Sequence, residues 1–245
     1  RKDNGWLTLV GLQWLEEGDQ KLELPPPAPS PSGTVSRHGK EVSLALAPGV
    51  QATLGGKPFK GGALPTDENE QATVQVGRLR FYALVRGEKV GIRMKDPEAD
   101  ARKKFHGIER FPVSAAYRVE ARWEPLASPR KIAVPTVLGT VEDMPAPGTA
   151  VFTLQGQELR LMPVLEEGED QLFFIFADQT NKADTYGAGR FLYAAMPKDG
   201  KVVLDFNRAY NPPCAFSHFA TCPLPPKENR LPLRVEAGEK RYGDH

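Results

Sequence analysis

The chain has 245 residues, enough for one large domain or two small ones. Its 32 Lys and Arg residues balance 31 Asp and Glu residues, which argues against a nucleic-acid binder held by phosphate contacts and against a polybasic membrane anchor. The longest apolar run, at residues 172–177, is far shorter than the roughly 20 residues that span a membrane, so we expect neither nucleic acid nor membrane as a partner.

The opening segment predicts a short helix. Apolar residues recur at helical spacing from Trp6 to Trp14, and a charged stretch at 16–19 then ends the pattern. The two tryptophans could form an aromatic platform for a ligand, but packing into a core is the favoured interpretation.

Short alternating segments separated by glycine predict a small β unit in the first third of the chain. They follow a proline-rich loop at 24–32, which cannot be a helix or a central strand. The predicted strands are 42–47, 51–54, 72–76, 79–85 and 89–94. A charged segment without glycine then predicts a short helix at Glu98–Phe105.

The rest of the chain predicts further short strands. Pro135 places its strand at a sheet edge or a bulge, and Asp199-Gly200 predicts a hairpin turn. The predicted strands are 116–124, 131–138, 150–154, 158–162, 171–176, 190–194, 201–206 and 231–237.

These elements indicate a mostly β protein, either a sandwich or a partly open barrel of about a dozen short strands, with one or two short helices. We expect an N-terminal part at 1–105, made of the short helix and the small β unit. A C-terminal β region at 106–245 would carry the polar loops. The two parts could also form one integrated domain.

Residues 174–239 place polar side chains between prolines and glycines. Prolines restrict the backbone, and a rigid loop bearing Asp, Asn, Arg and Tyr is a reasonable place for a site. We expect a pocket formed by loops 178–190 and 205–229. The structural alternative is that Asp and Asn cap turns and that a buried Arg pairs with an Asp.

Within this segment we assign catalytic roles to three residues. Arg190 would clamp an anion with parallel hydrogen bonds, Asp205 would act as acid, base or orienter, and Tyr210 would donate or accept a hydrogen bond. The residues expected to bind the ligand are Asp178, Tyr186, Asn207, Asn211 and Asn229.

Cys214, His218 and Cys222 follow the pattern C-x3-H-x3-C, which could bring three soft ligands to one Zn²⁺. The same spacing could pair a nucleophilic Cys214 with His218 as its base. Against both, prolines on either side disfavour a helix, and the favoured interpretation is two structural cysteines, free or bridged, with an incidental histidine.

The strings TYGAGRFLYA, DFNRAYNPPCAF and ATCPLPPKENRL closely resemble the bacterial and archaeal family known as domain of unknown function 1684. The opening GWLTLVGLQWLEEG and the stretch GIRMKDPEADARKKF look like the same family. The resemblance covers nearly the whole chain, and it implies membership of an uncharacterised family without implying an activity.

We therefore expect an enzyme or a ligand-binding protein that acts on a small polar or anionic molecule. If it is an enzyme, hydrolysis is the interpretation by elimination, because no cofactor motif is visible. The first alternative is a non-catalytic binding or interaction module, in which the polar cluster would be internally paired and leave no cavity. The second is a flavin-binding β-barrel.

Two properties stay open at this stage. The sequence does not indicate an oligomeric state. It begins with Arg1 rather than Met, so we expect the natural N-terminus to be missing; a cytoplasmic location is the expectation, with secretion left open.

Overall fold

The computed structural model describes residues 5–66, 73–166 and 168–243, without the side chain of Pro129. The chain forms two compact units, Arg1–Phe105 and His106–His245. The division into two separate domains, or their integration into one, stays a prediction.

The first unit is built from short antiparallel strands. Their bounds are β1 Leu9–Leu15, β2 Gly18–Leu22, β3 Gly33–His38, β4 Glu41–Leu46, β5 Ala52–Leu54, β6 Lys57–Phe59, β7 Gly62–Ala63, β8 Val74–Val76, β9 Leu79–Arg86 and β10 Lys89–Lys95. One sheet has the order β1-β10-β9-β8-β5-β6, and the other has the order β2-β3-β4-β7. Inward-facing apolar side chains such as Leu22, Val35 and Phe81 form its core.

The predicted helix at the N-terminus is wrong. A 3-10 turn at Trp6–Thr8 leads directly into β1, which pairs with β10. A spacing of four residues fits both a helix and a strand, because residues an even number apart share a strand face. The favoured packing of the tryptophans into a core is also wrong, since Trp6 and Trp14 keep 47% and 37% of their surface exposed.

The second predicted helix is present but shorter. It begins at Asp100 and ends at Lys103, and we call it α1. The predicted strands of this unit are all present within one or two residues over the part that is described; Ala72 lies outside the described residues.

The second unit contains two further antiparallel sheets. Their strands are β11 Arg118–Pro135, β12 Val141–Leu154, β13 Gln157–Leu161, β14 Gln171–Phe176, β15 Arg190–Ala195 and β16 Lys201–Asp205. One sheet has the order β13-β12-β11-β16, and β14 pairs with β15. Phe152, Phe174, Phe176 and Phe206 are among the aromatic side chains of its core.

The two strands predicted at 116–124 and 131–138 are one long strand, β11. Its pairing with β12 shifts register between Pro125 and Arg130, where the sequence pattern breaks. Pro135 ends β11 beyond the part that pairs with β16, so its expected position at a sheet edge is confirmed. The turn at Asp199-Gly200 is also confirmed, because both residues have positive φ and the hairpin closes between Lys198 and Lys201.

The strand predicted at 231–237 is wrong. Leu231, Leu233, Val235 and Ala237 are buried in alternation, as in a strand, but the segment joins no sheet. Its backbone instead bonds to single residues of another loop, such as Leu231 N–H to the carbonyl of Ala177 at 2.8 Å.

The fold class is thus confirmed as mostly β and sandwich-like, and the described strands form no closed barrel. None of the described helices reaches the length and apolar character that a membrane span requires.

Candidate functional site

An open cleft of about 620 Å³ lies in the second unit, at the ends of β11, β14, β15 and β16. Ligand pockets of small molecules usually fall between roughly 300 and 1,000 Å³. Two arginines, two aspartates, two tyrosines and a glutamine supply its polar lining: Arg118, Asp170, Gln171, Tyr193, Asp205, Arg208 and Tyr210.

The two arginines that line the cleft, Arg118 and Arg208, lie near the predicted residue Asp205. Arg118 and Asp205 are directly opposite in the β11–β16 ladder, so their side chains leave the same face of the sheet. Arg208 follows on the 3-10 turn after β16. Both arginines are exposed, and neither guanidinium has a hydrogen-bond or ion-pair partner among the residues described.

The Asp205 carboxylate is held in place by Asn207. It accepts the Asn207 backbone N–H at 3.2 Å and the amide Nδ2 at 2.9 Å. The Asn207 side chain also exchanges two hydrogen bonds with the backbone of Ser114, at 3.0 and 2.9 Å. Asn207 is therefore placed to orient Asp205 rather than to contact a ligand itself.

Tyr210 forms another wall of the cleft. Its backbone N–H and C=O pair with Phe191 at 3.0 and 2.9 Å, and its ring lies edge-on to Phe191 and parallel to Tyr193. Burial raises the pKa of Tyr210 to about 12. Burial also raises the pKa of Tyr193, whose hydroxyl donates a hydrogen bond to the Glu166 carboxylate. Both phenols therefore stay protonated at neutral pH, and the Tyr193 proton is directed to Glu166.

Arg190 lies elsewhere, fully buried in the core of the second unit. Its Nη2 donates to the Asp178 carboxylate at 2.8 Å and to the carbonyl of Val235 at 2.9 Å. Its Nη1 donates to the carbonyls of Ala237 and Glu239. Burial lowers the pKa of Arg190, and Asp178 opposes that shift. These contacts favour a structural role, so the anion clamp stays a prediction without geometric support.

Asp178 completes the same buried network. Its Oδ1 accepts the backbone N–H and the hydroxyl of Thr180 at 2.8 and 2.6 Å, and the backbone N–H of Val235 at 3.1 Å. The pair therefore ties the loop after β14 to the segment 235–239, which no sheet holds.

The side chains of two predicted ligand-binding asparagines also form hydrogen bonds with backbone groups. Asn229 exchanges two 2.8 Å bonds with the backbone of Met162 and donates to the carbonyl of Ile175 at 3.0 Å. Asn211 donates through its amide to the carbonyl of Lys240 at 2.7 Å. Both are almost fully buried, so these contacts favour loop-fixing roles.

Tyr186 and the two cysteines form a separate group. The Tyr186 hydroxyl donates to the carbonyl of Cys214 at 3.2 Å, and burial raises the pKa of Tyr186. Both Cys214 and Cys222 are free thiols, and His218 is exposed. Among the described residues, no three His, Cys, Asp or Glu side chains are close enough to hold a metal ion, so the zinc alternative has no ligand set there.

A second, smaller pocket lies close to the predicted location. It measures about 380 Å³ and is lined by residues 177–188 and 224–231. Asp178 reaches it, but the Asp178 carboxylate is already bonded within the network described above. Lys182 and Arg230 add positive charge there, and both are exposed.

Of the predicted residues, the structure brings Asp205 and Tyr210 into the 620 Å³ cleft. The sequence did not point to the other polar residues of the cleft, which are Arg118, Asp170, Gln171, Tyr193 and Arg208. Tyr193 and Arg208 lie within the strings TYGAGRFLYA and DFNRAYNPPCAF, which was an available signal. Arg118 carries no local signal, because only the pairing of β11 with β16 brings it to Asp205.

Comparison with protein families matches residues 103–240 to a model described as "Protein of unknown function (DUF1684)". The match does not cover most of the first unit. The resemblance of the opening string GWLTLVGLQWLEEG to the family therefore stays a prediction. The solution NMR structure of an uncharacterised protein of Haloarcula marismortui is 31% identical; the alignment covers 57% of this chain and 78% of that one, with a TM-score of 0.48. The comparison with curated proteins found no match.

Proposed function

The chain belongs to the DUF1684 family of proteins of unknown function, and we propose that this member binds a small polar molecule with an anionic group in the cleft around Asp205 and Tyr210. The observation that carries the proposal is the pair of guanidinium groups, Arg118 and Arg208, which line this cleft without a partner among the described residues.

Arginine suits this role because its planar donors can hold a carboxylate or phosphate with two parallel hydrogen bonds. The buried Arg190 of the same unit, by contrast, forms an ion pair with Asp178 at 2.8 Å. Arg118 faces Asp205 across the ladder but makes no ion pair with it, so its donors are available to a ligand.

The remaining lining groups would orient the rest of the ligand. Tyr193 and Tyr210 supply ring faces and hydroxyl groups, and Asp205 supplies a fixed acceptor for a ligand hydroxyl or amine. The mixture of both charges favours a polar anion with further donors over a purely apolar acid.

The test is isothermal titration calorimetry with phenyl phosphate, compared with inorganic phosphate and phenol. We expect Arg118→Gln and Arg208→Gln each to weaken phenyl phosphate binding by about tenfold or more, because a charge-assisted hydrogen bond contributes about 1.5–3 kcal/mol. Arg130→Gln is the matched control, because Arg130 is also exposed on β11 but does not line the cleft. Equal weakening in all three variants, or no binding to the wild type, would contradict the proposal.

Hydrolysis in the same cleft is the second candidate. It is favoured by the Asp205 carboxylate, which two Asn207 hydrogen bonds hold in a cleft that the protonated Tyr210 also lines. With p-nitrophenyl phosphate and p-nitrophenyl acetate as probes, Asp205→Asn would retain binding but lose turnover. Turnover by the wild type no faster than in buffer would remove this candidate and leave binding alone.

Some contacts favour the non-catalytic interaction module, whereas the cleft favours ligand binding. The module accounts for Asp178, Arg190, Asn211 and Asn229, which bond internally, but it also expects no cavity, and the cleft is present. The flavin alternative depended on a split barrel, whereas the described strands form open sheets. It stays a prediction that the absorbance spectrum with added flavin would test.

A further inference from the structure

Cys214 and Cys222, the two cysteines of the chain, lie side by side in the second unit. The backbone N–H of Cys214 donates a hydrogen bond to the Sγ of Cys222 at 3.1 Å. Because that N–H belongs to Cys214 itself, the Cys222 sulfur lies within the reach of the Cys214 side chain. The two thiols also hydrogen-bond to each other, and this interaction is the main cause of a lowered pKa at Cys214.

Both backbones are held where they bring the sulfurs together. Tyr186 donates to the carbonyl of Cys214 at 3.2 Å, and the N–H of Val137 donates to the carbonyl of Cys222 at 3.0 Å. Pro213 and Pro223, each adjacent to one cysteine, further restrict the backbone. The proximity therefore follows from the fold of the loop, not from a bond between the sulfurs.

The two thiols differ in access. Cys214 is half-buried on the 3-10 turn Pro213–Ala215, whereas Cys222 keeps only 4% of its surface exposed. A partly exposed thiol with a hydrogen-bond donor at its sulfur has the features of an attacking cysteine, and a buried neighbour has those of a resolving one.

We propose that Cys214 and Cys222 form a redox-active dithiol that closes to an intramolecular disulfide when it meets a small-molecule disulfide. The Cys214 thiolate attacks one sulfur of the oxidant, forming a mixed disulfide and releasing the first small thiolate. The Cys222 thiolate then attacks the Cys214 sulfur, forming the internal bond and releasing the second small thiolate. Each departing thiolate takes up the proton lost by one cysteine, so two protein thiols are oxidised and one disulfide is reduced to two thiols.

The test equilibrates the whole folded protein with mixtures of oxidised and reduced glutathione, quenches with acid, alkylates the free thiols and measures the denatured intact mass. The expected product has lost the mass of two hydrogens and carries neither alkyl groups nor glutathione. The same equilibration in urea measures the unconstrained chain. We expect the effective concentration of one thiol at the other to be about tenfold or more higher in the folded protein.

Folded protein that keeps both thiols free, or accumulates only glutathione adducts, would overturn the proposal. So would a bridge that forms no more readily in the folded state than in urea. These readouts use the wild type, so they do not depend on how a variant folds.

Single-cysteine variants test the order of attack. Cys222→Ser retains the half-buried Cys214 and should take up one glutathione at least about tenfold faster than Cys214→Ser, which retains the buried Cys222. The reverse order would overturn the roles assigned to the two thiols. Cys214→Ser in urea is the control that its thiol reacts once it is exposed.

Discussion

Removal of Asp178 should destabilise the second unit strongly. Its carboxylate accepts hydrogen bonds from Thr180, Val235 and Arg190, and both charged side chains of the Asp178–Arg190 pair have no exposed surface. Asp178→Ala leaves the Arg190 guanidinium in the core without its counter-charge. Breaking a buried pair in this way costs about 3–5 kcal/mol of unfolding free energy.

A double-mutant cycle separates the pair from the size of the side chains. Arg190→Met removes the other charge, and the double variant removes both. We expect the double variant to be more stable than the sum of the two single effects implies, by about 1–3 kcal/mol, because residues in contact couple by amounts of this size.

The assay is urea unfolding followed by tryptophan fluorescence. The chain has three tryptophans, and Trp123 packs against the core of the second unit, so replacing Trp6 and Trp14 with Phe makes the signal specific to that unit. The matched control is Asp184→Ala, which breaks the partly exposed Asp184–Arg234 pair of the same unit and should change stability little. Equal stability of Asp178→Ala and Asp184→Ala would refute the structural role of the buried pair.

Three further outcomes are expected. Gly189→Ala should lower the unfolding free energy by about 1–3 kcal/mol or more, because Gly189 has a φ of +96° and an added Cβ would collide with Pro225 and lie 2.6 Å from the carbonyl oxygen of Phe176. Asn229→Ala should cost about 2–3 kcal/mol in the same urea assay, because it leaves buried backbone groups without their partners. Tyr210 ionises at about 12 in the folded protein and near 10 when unfolded, so its contribution is intact below pH 10 and is lost as the pH rises through about 12; Tyr210→Phe should lose less stability over that interval.

Each of these outcomes has its own comparison. Gly200→Ala also faces a positive φ but meets no atom within 4 Å, so a similar loss in both glycine variants would show that backbone conformation and not the collision is responsible. An Asn229→Ala protein as stable as the wild type would remove the loop-fixing role. Identical pH profiles for wild type and Tyr210→Phe would contradict the shifted phenol.

The sequence was informative where structure depends on neighbouring residues. The Asp199-Gly200 pair predicted a hairpin turn, and both residues have the positive φ that such a turn requires. Most strands were predicted from the alternation of apolar and polar residues. The sequence was misleading where pairing with a distant segment decides the local structure. Residues from Trp6 to Trp14 become a strand because β10 pairs with them, and 231–237 alternates without a sheet because its bonds go to single loop residues.

The predicted site residues divide in the same way. Asp205 and Tyr210 reach the cleft, but Arg190 does not, because its partners Val235 and Ala237 lie more than forty residues further along the chain. A polar residue that fixes a loop and one that faces a ligand look alike in a sequence. What separates them is whether backbone groups distant in sequence have already taken their hydrogen bonds.

Anion binding by Arg118 and Arg208 is tested most directly by a crystal structure of the protein with phenyl phosphate. We expect the phosphate to lie between Arg118 and Arg208, with the ring against Tyr193 or Tyr210. A phosphate bound instead at Lys182 and Arg230 in the smaller pocket, or an empty cleft at saturating phenyl phosphate, would contradict it.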